Sequence, residues 1–268
     1  MAARDGAVGF FDSGLGGLCI LDAFKRVCPR ESTIYIADSA NCPYGNRPAE
    51  EIVALSEANT RELLKRGCKM VVVACNTATA AAIEVLRKGH PEVPFIGIEP
   101  ALKPAALSSR TGIVGVLATA GTFGGRLYRE TKERFAKDVT VIATVADEFV
   151  ELVESHRVEL ESDRVGIGSA SDPKPTLNDP KLTLNDPKIL SIVRNKIEPL
   201  LNAGCDRIVL GCTHFPHLKP VIEQVCAGRA EVIDPSDAVA LQAKRVLAKL
   251  GLAATTVAEP THIFIRTK

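Results

Sequence analysis

Two cysteines stand at similar places in the sequence, and their chemistry suits proton transfer. Cys75 follows the apolar run 70–74, Cys212 closely follows the apolar run 207–210, and a threonine comes one or two residues after each cysteine. A thiol has an ordinary pKa of about 8.5, so near neutral pH it can act as a thiolate base or as a thiol acid. Two thiols on opposite sides of one small molecule would remove a proton from one face of a carbon and deliver a proton to the other. The pattern therefore indicates inversion of a stereocentre.

Other polar side chains also follow apolar runs, and they could complete a site around the thiols. Asp12 and His214 could each control the protonation of one cysteine. Neutral hydrogen-bonding side chains could bind the carboxylates and the ammonium group of a substrate: Asn76, Thr77, Thr119 and Thr213.

Two other kinds of site are weaker interpretations of the same residues. The turn Gly14–Gly17 reads G-x-G-G rather than G-x-G-x-x-G, and Asp12 would place negative charge where a pyrophosphate lies. A zinc site could be assembled from Cys75, Cys212, His214 and His217, but structural zinc ligands usually come in closely spaced pairs. We therefore expect neither a cofactor nor a metal.

Short apolar runs alternate with amphipathic stretches, and this alternation predicts the elements that position the site. The predicted strands are 7–11, 33–37, 70–74, 95–98, 112–117, 140–144, 207–210 and 231–233. The predicted helices are 17–27, 49–66, 79–88, 124–135, 188–203 and 236–250. The pattern predicts an α/β fold with two similar doubly wound domains, whose mainly parallel sheets face each other across a cleft.

A weak sequence similarity between two parts of the chain suggests where the two domains divide. Residues 8–14 resemble residues 114–121, and residues 71–77 resemble residues 207–213. We expect residues 1–98 plus 216–268 to form the first domain and residues 99–215 to form the second, with the active site between them.

Composition excludes several classes of partner. The 268 residues carry 33 Lys and Arg against 32 Asp and Glu, so a net charge of +1 leaves no basic field for nucleic acid or a membrane surface. No apolar stretch is long enough to span a bilayer, and no signal peptide is evident. The eight cysteines form no C-x-x-C pair, which is typical of reduced thiols in a cytoplasmic protein.

One segment repeats itself. The sequence TLNDPK occurs at 176–181 and again at 183–188, after a stretch rich in glycine and serine. Its composition predicts an exposed surface insertion, with a regulatory or partner-binding loop as the alternative.

Several motifs together resemble the cofactor-independent aspartate/glutamate racemase family across nearly the whole chain. The motifs are GFFDSGLGG at 9–17, CPYG at 42–45, VACNTA at 73–78, GIEP at 97–100 and LGCTHFP at 210–216, with Ile233-Asp234 near the end. The resemblance implies two α/β domains around one active site and interconversion of L- and D-glutamate, which supplies peptidoglycan synthesis. Because relatives that act on aspartate tend to carry an acid after the second Cys-Thr pair, His214 favours glutamate.

The resemblance also implies roles for individual residues. Cys75 and Cys212 would be the acid–base pair, and Asp12 and His214 would assist them. The residues implied in substrate binding are Asp12, Ser13, Tyr44, Gly45, Asn76, Thr77, Glu154, Thr213 and His214, to which the strand-end argument adds Thr119. Ala146-Asp147 departs from the family's Cys-Pro, and the repeated segment is also unusual.

Three alternatives stay open at this point. The substrate could be aspartate or another amino acid, or the chain could bind an amino acid without catalysis. We expect a homodimer that acts on a small molecule in the cytoplasm.

Overall fold

The computed structural model describes residues 6–162, 186–255 and 259–268. Its strands are β1 (Val8–Asp12), β2 (Thr33–Ala37), β3 (Met70–Val73), β4 (Phe95–Gly97), β5 (Ile113–Ala118), β6 (Thr140–Val145), β7 (Arg207–Gly211), β8 (Glu231–Ile233) and β9 (His262–Arg266). Its helices are α1 (Leu18–Val27), α2 (Ala49–Lys65), α3 (Asn76–Gly89), α4 (Leu102–Ser108), α5 (Ala120–Gly124), α6 (Arg126–Phe135), α7 (Glu148–Ser162), α8 (Pro187–Asn202), α9 (Lys219–Cys226) and α10 (Ser236–Lys249).

The strands form two parallel sheets, which confirms the predicted fold class. The first sheet has the order β4-β3-β1-β2-β9, and the second has the order β6-β5-β7-β8. Every pairing in both sheets is parallel. All eight predicted strands are present, and each end lies within one residue of its predicted position.

Side chains that alternate along the strands build an apolar layer on each face of both sheets. In β3, Val72 packs with α1 and α10 on one face, whereas Val71 and Val73 pack with α2 and α3 on the other. In the second sheet, Leu210 packs towards α7, α8 and α9, whereas Val209 packs towards α4 and α6. Burial on both faces explains why these strands are almost continuously apolar.

The chain returns to the first sheet later than the predicted boundary at residue 216. Strand β8 pairs with β7, and Val221, Ile222 and Val232 lie in the core of the second sheet. Residues 216–233 therefore pack with the second sheet, and the return begins with α10, which packs on α1. The sequence similarity between the two halves ended at residue 213, so it gave no indication of the sheet to which the short strand β8 belongs.

Local sequence explains several helix ends. Asp186 accepts a hydrogen bond from the backbone N of Lys188, and Pro187 opens α8, as the Asp-Pro pair predicts. Ser236 is the first residue of α10, and Asp234 accepts hydrogen bonds from its backbone N and its hydroxyl. Most of the TLNDPK repeat lies outside the described residues. In the part that is described, no helix is both long and apolar enough to cross a bilayer.

Candidate active site

Cys75 lies between β3 and α3, and the residue is 4% exposed. Its Sγ accepts a hydrogen bond from Ala78 N at 3.4 Å and lies 3.9 Å from the hydroxyl of Ser13, to which it can donate. Burial raises the pKa of Cys75, and the negative charges of Asp12 and of a Cys212 thiolate raise it further. Burial and these charges therefore favour the protonated form of the Cys75 thiol.

Cys212 follows β7 and is linked through an imidazole to a carboxylate. His214 Nδ1 lies 3.7 Å from Cys212 Sγ, and His214 Nε2 lies 2.7 Å from Glu154 Oε1. The same carboxylate oxygen accepts a hydrogen bond from Leu15 N at 2.7 Å, which fixes its position. In other proteins, this order of thiol, imidazole and carboxylate activates a cysteine, with the imidazole held in place by the carboxylate.

The imidazole and the carboxylate stabilise each other's charged forms. Burial alone would lower the pKa of His214, but hydrogen bonds with Cys212, Cys42 and Glu154 raise it well above its ordinary value. Burial alone would raise the pKa of Glu154, but the hydrogen bond and the charge of His214 lower it overall. An imidazolium paired with a carboxylate is the result, and its Nδ1 lies 3.7 Å from Cys212 Sγ.

Asp12 is the last residue of β1, and its hydrogen bonds connect the first sheet to the residue Thr213 that follows the second sheet's strand β7. Its Oδ2 accepts hydrogen bonds from Gly14 N at 3.2 Å and Gly17 N at 3.1 Å, and its Oδ1 accepts one from the Thr213 hydroxyl at 3.2 Å. Burial raises the pKa of Asp12, and this outweighs the lowering by His214 and the two backbone donors. A dinucleotide site is wrong here, because the backbone donors that would hold a pyrophosphate already bind a carboxylate.

Close packing explains the glycines of the turn that follows β1. A Cβ at Gly16 would lie 2.5 Å from His214 Nδ1, and a Cβ at Gly14 would lie 2.1 Å from Glu154 Oε1. Both distances are far below ordinary contact, so only glycine lets the turn approach these side chains.

Hydroxyl groups from the two halves meet on another side of the site. Thr77 Oγ1 lies 2.9 Å from Thr119 Oγ1, and Thr119 Oγ1 lies 3.0 Å from Thr122 Oγ1. Gly45 approaches Thr119 closely, since a Cβ there would lie 3.3 Å from that side chain. Thr122 joins this group because one turn of α5 separates it from Thr119.

Asn76 and Tyr44 differ in how their polar groups are used. The buried amide of Asn76 has no hydrogen-bond partner among the described residues. The hydroxyl of Tyr44, in contrast, donates to Asp38 Oδ2 at 2.5 Å and accepts from Asn59 Nδ2 at 3.3 Å. A partner-free buried amide is costly unless a ligand satisfies it, so Asn76 is a strong candidate for substrate contact.

The zinc set considered from the sequence does not assemble. His217 Nε2 lies 3.1 Å from the carbonyl oxygen of Gly16. Among the described residues, the group that could hold a metal ion is instead Cys42, Glu154 and His214. Sequence reasoning missed Cys42 as a neighbour of His214, because 172 positions separate the two in the chain and no spacing signals the contact.

The fold and the comparisons with known proteins together identify an isomerase of the racemase class. The chain belongs to the Asp/Glu/hydantoin racemase family, which residues 19–243 match. It is 41% identical to the glutamate racemase of Herpetosiphon aurantiacus over 93% of this chain and 87% of that protein. It is 40% identical to the glutamate racemase of Pseudomonas aeruginosa PAO1 over 95% of this chain and 86% of that protein.

Solved structures agree with this assignment. A glutamate racemase isoform from Bacillus anthracis superposes with a TM-score of 0.79 at 27% identity, over 98% of this chain and 89% of that one. The Escherichia coli glutamate racemase, solved with L-glutamate and the activator UDP-MurNAc-Ala, has a TM-score of 0.77 at 28% identity, over 98% and 90% of the two chains. The expected family membership is thus confirmed.

Proposed function

We propose that this protein interconverts L-glutamate and D-glutamate by proton transfer between Cα and two cysteines. The observation that carries the proposal is the arrangement of Cys75 and Cys212, which follow strands of different sheets. The strand before Cys75, β3, lies next to β1, and the strand before Cys212, β7, lies next to β5; β1 and β5 are the first strands of the two sheets in chain order. Each thiol has its own polar neighbours. The similarity to glutamate racemases supports glutamate as the substrate.

The two thiols are proposed to work in opposite protonation states. Cys212, supported by His214 and Glu154, takes the α-proton from L-glutamate, and Cys75 delivers a proton to the opposite face. In the reverse direction Cys75 takes the proton from D-glutamate and Cys212 returns one. A thiol and a thiolate exchange roles in each turnover, so the next turnover in the same direction requires proton exchange with solvent.

The remaining polar groups are proposed to hold the substrate. Asn76 offers a buried amide without a partner, and Thr77 and Thr119 offer hydroxyls. Ser13 and Thr213 contact Cys75 and Asp12 respectively, which places both hydroxyls beside the reacting groups. For Tyr44 and Gly45 we propose a closing role through the backbone, because the Tyr44 hydroxyl is bound to Asp38.

Loss of optical activity from pure L-glutamate tests this function directly. The assay is run on dialysed protein in a chelator, with L-aspartate as the competing substrate. We expect full activity on glutamate under these conditions, because the proposed chemistry uses only side chains. Binding without racemisation would contradict the proposal, as would a preference for aspartate or a rate restored only by added metal.

Single-cysteine variants test the mechanism. Cys75→Ser and Cys212→Ser are each expected to lose racemisation, because serine is a far weaker acid and base than cysteine near neutral pH. Cys226→Ser is the matched control, since this thiol is equally buried but packs in the core of the second sheet. Supply of D-glutamate for peptidoglycan, cytoplasmic location and a homodimer stay predictions, and sedimentation of the pure protein checks the last.

A further inference from the structure

Three side chains of metal-ligand type meet beside the proposed base. One ligand atom each from Cys42, Glu154 and His214 lies within 4.8 Å of the others. Cys42 comes from the loop after β2, whereas Glu154 lies on α7 and His214 follows β7. The cluster is therefore assembled by the fold from three separate segments. The proposed racemisation moves no proton through Cys42, whose described partner in this cluster is His214.

The cluster is held in place on several sides. Leu15 N fixes Glu154 Oε1, and a Cβ at Gly14 would lie 3.2 Å from Cys42 Sγ as well as 2.1 Å from Glu154 Oε1. The His214 side chain is 2% exposed and that of Glu154 is 16% exposed, while Cys42 is half-buried. Only glycine at position 14 thus allows the turn to approach both ligands, and Cys42 and Glu154 are both partly exposed.

We propose that Cys42, His214 and Glu154 bind a zinc-like divalent cation, which inhibits the enzyme by taking His214 away from Cys212. Thiolate, imidazole and carboxylate are the ligands that Zn²⁺ prefers, with bonds of about 2.0–2.3 Å and a tetrahedral arrangement. Such bonds place ligand atoms roughly 3–4 Å apart, so small side-chain rotations close a 4.8 Å span.

Binding changes the protonation of the ligands in a defined way. The Cys42 thiol and the His214 imidazolium each release one proton to solvent, and His214 binds the cation through the nitrogen that has lost its proton. A metal-bound imidazole can no longer act as an imidazolium between Glu154 and Cys212. This inhibition rests on the proposed function, whereas metal binding itself does not.

Equilibrium binding of Co²⁺ and Zn²⁺ to the metal-free protein, without substrate, tests the site first. The wild type is expected to bind one cation per chain with the thiolate-to-cobalt absorption band, and Cys42→Ser is expected to lose this band. Cys28→Ser is the matched control, because Cys28 is also half-buried but lies at the end of α1, outside the cluster. Glu154→Gln, read by binding alone, replaces Cys42→Ser if that variant does not fold.

Inhibition by buffered Zn²⁺ forms the second arm, with each variant compared with its own metal-free rate. Loss of a partner that only orients a metal ligand already costs about 10–100-fold in metal affinity, so loss of the Cys42 ligand should raise the inhibitory concentration at least that much. Equal binding and equal inhibition in wild type and Cys42→Ser would overturn the proposal. Failure of the wild type to bind at micromolar free metal would also overturn it.

Discussion

The pairing of Glu154 with His214 yields a prediction whose size follows from the geometry. Glu154→Gln keeps an oxygen that can accept from Leu15 N, but it removes the negative charge 2.7 Å from His214 Nε2. A hydrogen bond to a charged group contributes about 1.5–3 kcal/mol. Since about 1.4 kcal/mol corresponds to tenfold in rate, kcat/KM for L-glutamate should fall about 10- to 100-fold. The pKa of His214 should fall as well, because one of the contacts that raises it becomes weaker.

Steady-state racemisation measured by circular dichroism, with NMR titration of the imidazole, checks both expectations. Glu151→Gln is the matched control, because Glu151 lies on the same helix α7 but is exposed. It should change neither the rate nor the titration of His214. If Glu154→Gln racemises glutamate like the wild type, the imidazole does not depend on this carboxylate and the relay to Cys212 is refuted.

Asp12→Asn and His214→Asn should each lower turnover by about 10²–10⁴-fold in proteins that stay folded, since acid–base assistance has this size; near-normal rates would make both residues structural. Gly16→Ala should displace the His214 ring and reduce activity. Gly89→Ala, in open space at the last residue of α3, should instead stabilise the protein by about 0.4–1 kcal/mol; thermal unfolding and rates of the two alanine variants check this contrast. The hydroxyl and backbone donors around Asp206 lower its pKa to about 2. The stability that Asp206 contributes above pH 4 should therefore be lost as the pH falls towards 2, by about 2 kcal/mol in acid unfolding. The variant Asp206→Asn should not show this loss.

The strands and the two thiols could be predicted from the sequence because their signals are local. Buried parallel strands read as short apolar runs, and polar residues directly after them must lie at one edge of a sheet. Strand β9 was missed, since it is a half-exposed edge strand whose partner β2 lies 229 residues away in the chain. The short helices α4, α5 and α9, together with α7, were also missed, and long-range packing rather than local pattern defines them.

The finer structure of the site depends on contacts that no spacing encodes. Glu154 was predicted as a site residue from the family resemblance. Its hydrogen bond from Leu15 N could not be predicted, because the two residues are 139 positions apart. Cys42 read as part of the CPYG motif, and only the fold shows that it lies against His214. The glycine turn was considered for phosphate binding, whereas the structure shows a carboxylate bound to its backbone and an imidazole packed against it.

Racemisation in heavy water tests the two-thiol account most directly. Protons of Cys75 and Cys212 exchange with solvent, and the two thiols act on opposite faces of Cα. When only a small fraction of the L-glutamate has been converted, the D-glutamate formed should therefore carry deuterium at Cα. The remaining L-glutamate should stay largely unlabelled. The same asymmetry should hold when D-glutamate is the starting material. Equal labelling of substrate and product, or product that retains the original hydrogen, would show a single base and contradict the account.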